Sequence, residues 1–233
     1  MKTQIEIEEK LIINEGKTGH GEIKTFNYEV LKNLNKNAIC ELELGNIKGT
    51  GFFCKIPSPQ NKNENIIVLL TCYHVLPLNK YEISQIFYHI ENEDKKVLNL
   101  KNRKKWRDEE LDYTCIEILE EDNITNYLNI DENIIQDNYP IKELQKKAIY
   151  IFNSKLEFSV GNIIKIWNNL LHYDSDTTYG WSGSPIFNKN NNNVIAIHKG
   201  FDEQLNIGVF IRTILKHMKN EKDNIPDIIV NEG

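Results

Sequence analysis

Residues 177–187 read Thr-Thr-Tyr-Gly-Trp-Ser-Gly-Ser-Pro-Ile-Phe, a run whose composition suits a reactive hydroxyl. Ser182 stands between Gly180 and Gly183, and glycine lets the backbone bend so that the hydroxyl projects while neighbouring N–H groups converge on one point. The β-type run Pro185-Ile186-Phe187 follows at once and anchors the loop on a strand. A serine hydroxyl is a weak nucleophile by itself. It needs a base within hydrogen-bond reach and a third group that orients the base; without them a serine in such a turn serves only its own backbone. The chain offers a base in His74, at the end of the apolar run from Asn65 to Cys72. It offers acids in Asp108, Glu109, Glu110 and Asp112, around the start of a second apolar run, Leu111 to Ile118.

The elements that must position these groups are short and extended. Alternation and apolar runs predict strands over Ala38–Leu44, Gly49–Ile56, Asn65–Cys72, Glu82–Ile90, Val97–Leu100 and Leu111–Ile118. Further strands are predicted over Ala148–Asn153, Glu157–Trp167, Leu170–Tyr173, Pro185–Phe187, Val194–His198 and Asn206–Ile211. Asn188–Asn193 reads as a hairpin turn and Glu120–Leu144 as a loop-rich connection; the Lys-rich pieces around residues 95–105 read as a solvated loop, with a weak basic docking patch as the alternative, and Lys101–Glu110 is a polar run. No long helical crossover separates the strands, so the architecture is antiparallel β.

The combination Gly49-Thr-Gly-Phe-Phe, a polar loop, Leu69-Leu-Thr-Cys-Tyr-His-Val-Leu76, and Thr177-Thr-Tyr-Gly-Trp-Ser-Gly-Ser-Pro-Ile-Phe187 resembles chymotrypsin-fold serine peptidases, with the glutamyl endopeptidase branch nearest in motif. The resemblance covers about residues 38–218 and implies an all-β fold of two antiparallel β-barrels with a short C-terminal helix. It places a first barrel over about 38–120, a second over about 145–212 and the helix over about 212–219, within a peptidase domain spanning 38–219. Residues 1–37 are then an arm or lead-in and 220–233 a polar tail. It also places the orienting carboxylate at the mouth of a strand, which selects Asp112 over its three neighbours. The order His74, Asp112, Ser182 is the chymotrypsin order. The resemblance further implies an oxyanion hole from the N–H groups of Gly180 and Ser182. Ser184, directly before Pro185, is the rival nucleophile and reads instead as a small packing residue.

Substrate recognition is carried over by the same route. In the glutamyl branch a Thr before the nucleophile and a His on the following strand bind an acidic side chain, and Thr177 and His198 match them. A hydroxyl and a protonatable imidazole satisfy a carboxylate by charge-assisted hydrogen bonds. Asp176, six residues before Ser182, is the position at which trypsin-type enzymes hold an acid for Lys or Arg, so acidic and basic preferences both stay open. His198-Lys199-Gly200 is expected to pair with substrate backbone as an added strand. Lys199-Gly200-Phe201 departs from the Trp-Gly-Gly continuation of the branch.

Composition narrows the function classes. With 233 residues and 40% hydrophobic content the chain can bury a sizeable core. A net charge of −6 with interleaved lysines argues against nucleic acid as partner, and no apolar run reaches membrane-spanning length. The start is charged throughout, which suggests a cytoplasmic protein or one whose leader is removed. Cys40, Cys54, Cys72 and Cys115 all lie in β-like runs without metal-ligand spacing, and four reduced thiols are expected. Trp181 occupies the position where zymogen-derived relatives hold an acid, so activation through a new N-terminus is not expected. The resulting expectation is a serine endopeptidase without metal or organic cofactor, acting on a protein or peptide, active as made or gated by a partner protein. A protease-fold module that binds peptide without turnover is the alternative.

Overall fold

The computed structural model describes residues 23–24, 36–61, 63–78, 83–90, 93–202 and 204–221. Most of the expected N-terminal arm and of the polar tail lies outside them, as does the start of the strand predicted from Glu82. The first half is a sheet of β2 (Ile39–Leu44), β3 (Ile47–Pro57), β4 (Asn65–Thr71), β5 (Gln85–His89), β6 (Lys96–Asn99), β7 (Lys105–Asp108) and β8 (Tyr113–Glu117). Its strand order is β6-β5-β2-β3-β4-β8-β7, and β9 (Leu128–Asn129) joins β3 in parallel. This sheet curls into a half-barrel that stays open between β6 and β7 among the described residues.

The second half closes. β10 (Ala148–Phe152), β11 (Phe158–Trp167), β12 (Leu170–Tyr173), β13 (Pro185–Asn188), β14 (Val194–Asp202) and β15 (Leu205–Phe210) pair in the order β11-β10-β13-β14-β15-β12, and a β11–β12 pairing completes the ring. The two-residue strand β1 (Ile23–Lys24) adds to β11. The chain ends in helix α1 (Ile211–Asn220), whose Ile211, Ile214, Leu215 and Met218 are buried. The spacing 211, 214, 215, 218 is one helical stripe, and it packs into the larger buried cluster, which both halves share.

Two stretches behave differently from their sequence reading. The run 101–110 contains β7, because Trp106 is fully buried opposite Cys115. Arg103 in the same run is 4% exposed and donates to both carboxylate oxygens of Asp122 and to the Glu117 carbonyl. A guanidinium with three such partners can be taken out of water, which a charge count along the chain does not reveal. The connection after Glu120 is likewise tied down, through β9 and through Asp131, whose carboxylate accepts from Asn188 and Asn191. The four cysteines are buried and free.

Candidate active site

His74 follows β4 in a tight turn in which the Leu76 N–H donates to the Cys72 carbonyl. Register brings its partner. β4 and β8 pair antiparallel with Thr71 opposite Thr114, so the residues continuing past the end of β4 meet those preceding β8. The Thr114 hydroxyl donates to the Leu76 carbonyl and fastens the turn. Asp112 then lies against His74, accepting its backbone N–H at 3.0 Å on Oδ1 and facing the imidazole Nδ1 at 2.8 Å with Oδ2. Asp112 is buried, with φ at +61°, a left-handed conformation that a short polar side chain tolerates.

A carboxylate only accepts, so Nδ1 carries the hydrogen in this pair. In the neutral ring that leaves Nε2 as the basic nitrogen, and Nε2 is buried without a hydrogen-bond partner. Desolvated and oriented from behind, it is suited to take a proton from a hydroxyl brought up to it.

The Ser182 loop is held from both halves of the molecule. The Thr50 N–H on β3 donates to the Ser182 carbonyl at 2.8 Å, and the Thr50 hydroxyl donates to the Gly180 carbonyl at 2.9 Å. From the other side the Gly183 N–H donates to the His198 carbonyl, and the His198 N–H to the Ser184 carbonyl. Gly183 has φ at +87°, and a Cβ there would stand 2.0 Å from the Thr50 carbonyl oxygen, so only glycine passes. Gly180 also has positive φ, at +91°, but with open space around it. Between them Trp181 is fully buried in the second core and acts as the peg of the loop.

Gly49 connects the His74 and Ser182 pieces. A Cβ on it would lie 2.6 Å from Val75, the neighbour of His74, and 3.2 Å from the Ser182 carbonyl. Ser184, by contrast, is fully buried and its hydroxyl has no hydrogen-bond partner, consistent with a packing residue beneath the loop.

The expected recognition residues gather behind the loop. Thr177 and His198 are buried. The Thr177 hydroxyl donates to Asn206 Oδ1 at 2.7 Å, and the Asn206 amide donates to the Ser175 carbonyl. His198 Nδ1 is 2.6 Å from the Tyr173 hydroxyl. Asp176 is 8% exposed, with its N–H on the Ser159 hydroxyl. Gly200 is buried, and Lys199 sits at a register shift of β14, its ammonium reaching the Glu110 carbonyl.

Sequence reading gave no role to Thr50, although it lies in the Gly49-Thr-Gly51 motif, nor to Tyr173 and Asn206, which carry no motif; all three become partners only through the tertiary fold. It also missed a donor set. Cys72, His74 and Asp112 have ligand-type atoms within 4.8 Å of one another, a thiol, imidazole and carboxylate combination that zinc could use. In the structure these groups engage protein partners: the Cys72 thiol lies 3.0 Å from the His198 carbonyl, and Asp112 holds His74.

No protein-family model matches the chain. Glutamyl endopeptidases of Staphylococcus epidermidis are 42% identical to it over 71 residues, which is 30% of this chain. That match spans 24%, about a quarter, of the curated relatives' own length. Among solved structures, a Glu endopeptidase superposes with a TM-score of 0.59 at 15% identity, covering 90% of this chain and 98% of the other. The serine protease of a human pathogenic astrovirus gives 0.52 at 20% identity, covering 84% and 96%. Deg5 gives 0.54 at 14% identity, covering 83% and 95%. The chain has the chymotrypsin-like serine-protease fold.

Proposed function

We propose that the chain is a serine endopeptidase, with Ser182 as nucleophile, His74 as general base and acid, and Asp112 as the group orienting His74. The observation that carries this reading is the part-buried Asp112–His74 pair, which fixes the tautomer and leaves Nε2 bare, together with a Ser182 loop whose position 183 admits only glycine. In the reaction Ser182 Oγ attacks the peptide carbonyl while His74 Nε2 takes its proton; His74 then returns that proton to the leaving amine. Water, deprotonated by the same nitrogen, releases the acyl group. The N–H groups of Gly180 and Ser182 hold the oxyanion, each worth about 3 kcal/mol in such sites.

Thr177 and His198 form the recognition pair of this reading, for a Glu or Asp side chain preceding the scissile bond, with Asp176 the residue that would favour Lys or Arg. Lys199 and Gly200 supply backbone for the substrate strand. No metal or organic cofactor enters the chemistry. The four buried free thiols fit a reducing, cytoplasmic setting, and among the described residues no helix is long and apolar enough to cross a membrane.

A second reading has its own observation. His74 Nε2 lacks any hydrogen-bond partner, so the contact to the Ser182 hydroxyl is not closed in this conformation. A peptide-binding module, or a peptidase whose triad is assembled by substrate or by a partner protein, would show this.

Intact mass after exposure to a serine-directed fluorophosphonate separates the readings. A single adduct on the parent and none on Ser182→Ala is expected, followed by cleavage of a peptide library after Glu. Absence of an adduct on folded protein selects the second reading, a binding module or a triad that a partner must assemble; cleavage after Lys or Arg transfers the pocket to Asp176.

A further inference from the structure

Asp112 sits in the turn between β7 and β8, whose closing pair is Asp108 and Tyr113. The turn residues Glu109, Glu110, Leu111 and Asp112 include three acids, and Asp112 is in the left-handed region. Mutual repulsion and backbone strain both work against holding this turn in one shape. Within the turn the Leu111 N–H donates to Asp108 Oδ1 at 2.6 Å, and from outside it the Lys199 ammonium reaches the Glu110 carbonyl and His74 bonds Asp112.

A further hold comes from the far end of the chain. His217, in the last turn of α1, places Nδ1 2.8 Å from the Tyr113 hydroxyl and Nε2 3.2 Å from Asp108 Oδ2. Its ring also meets Tyr113 edge-on, with centroids 5.7 Å apart. One imidazole therefore touches both residues that close the turn. Burial pushes the Tyr113 phenol well above its ordinary range, so it keeps its hydrogen as a donor. Asp108 accepts only, which places the His217 hydrogen on Nε2 and leaves Nδ1 to accept from Tyr113. The two contacts agree on a single neutral tautomer. Glu221 also faces the ring, 4.0 Å from Nδ1.

We infer that His217 is a positioning residue for Asp112: α1 latches the β7–β8 turn from outside, and through it holds Asp112 on the His74 imidazole. The latch rests on the peptidase reading only for what Asp112 then orients. His217 itself touches neither Asp112 nor His74, and its effect is carried by the turn.

The test uses the full chain with Tyr113→Phe, which removes one oxygen, with His217→Ala, and with the two combined. Turnover of a Glu peptide is measured beside the low-field proton resonance of the His74 imidazole N–H, assigned by its loss in His74→Ala. Each single variant is expected to lower kcat roughly 10- to 100-fold with little change in KM, the loss typical of a misplaced catalytic group, and to broaden that resonance. The double variant should be no worse than the worse single one, because both remove the same latch. His217→Gln offers an amide donor for Asp108 and a carbonyl acceptor for Tyr113 but not the rigid ring that presents both at once, and should fall between. A lowered thermal midpoint with a sharp His74 resonance and kcat within two-fold of the parent overturns the inference and leaves His217 a packing residue. The resonance decides the latch even in a chain that cleaves nothing, whereas fluorophosphonate labelling decides the peptidase reading.

Discussion

Gly183 shows how tightly one residue binds local geometry to chemistry. Its positive φ and the 2.0 Å approach of a would-be Cβ to the Thr50 carbonyl exclude any side chain, while Gly180, equally left-handed, has nothing within 4 Å. Substituting alanine should therefore separate strain from clash. Gly180→Ala is expected to cost about 1–2 kcal/mol, the left-handed penalty alone. Gly183→Ala should cost more than about 3 kcal/mol, since overpacking is added to strain, and should abolish labelling of Ser182. Denaturant midpoints check this; equal stability of the two variants would contradict it. Thr50 is the other side of the same contact. Its N–H and hydroxyl hold the Ser182 and Gly180 carbonyls, so one threonine of the first half shapes the loop of the second.

At the scale of elements, the strands that carry Tyr173, His198 and Asn206 also carry a pH liability. β12 is paired on both sides, with His172 opposite Lys165 on β11 and Ile207 on β15. Its Nε2 is buried without a partner, and burial, with Lys165 adding to it and Asp202 opposing, holds the imidazole below its ordinary value. The folded protein thus resists a proton that the unfolded chain accepts near pH 6.5. Below that pH the unfolded state binds more protons, so this contribution is intact at neutrality and is lost as pH falls. The thermal midpoint of the parent should drop between pH 7 and 5 more steeply than that of His172→Phe. Parallel curves for the two proteins would refute the assignment. The same sheet logic explains β7: a strand of charged residues persists because Trp106 at its centre is buried against β8.

On the scale of the whole molecule, the two halves share one core. The larger buried cluster runs from Phe52, Leu69 and Tyr113 of the half-barrel to Tyr150, Phe152, Phe187 and Val209 of the closed barrel, and on to Leu215 and Met218 of α1. Bonds between the halves lie at the site itself, from Thr50 to the Ser182 loop and from Cys72 to His198. With core and site both spanning the division, the halves should unfold together, as a single calorimetric transition. Phe152→Ala, in the closed barrel, is expected to lower that whole transition, by about 3–5 kcal/mol for a buried aromatic. Two separated transitions, or a shift confined to part of the signal, would show independent halves.

Much of this was legible in the chain. The alternating and apolar runs located most strands, because burial on a sheet face imposes a period of two that local sequence must obey. Gly180, Ser182, Gly183 and His74 stood out as candidates because backbone bending and proton transfer demand particular residue types, while Asp112 was set apart from its acidic neighbours by the family resemblance. What only the tertiary structure decided is who meets whom. β7, Arg103 and β9 owe their states to partners distant in sequence, and a polar run cannot announce that its one tryptophan will be buried. The Tyr173–His198, Thr177–Asn206 and Tyr113–His217 contacts join residues 25, 29 and 104 positions apart. Such pairs are set by strand register and by the packing of α1, which depend on the closure of the whole sheet and leave no local signal in the order of residues.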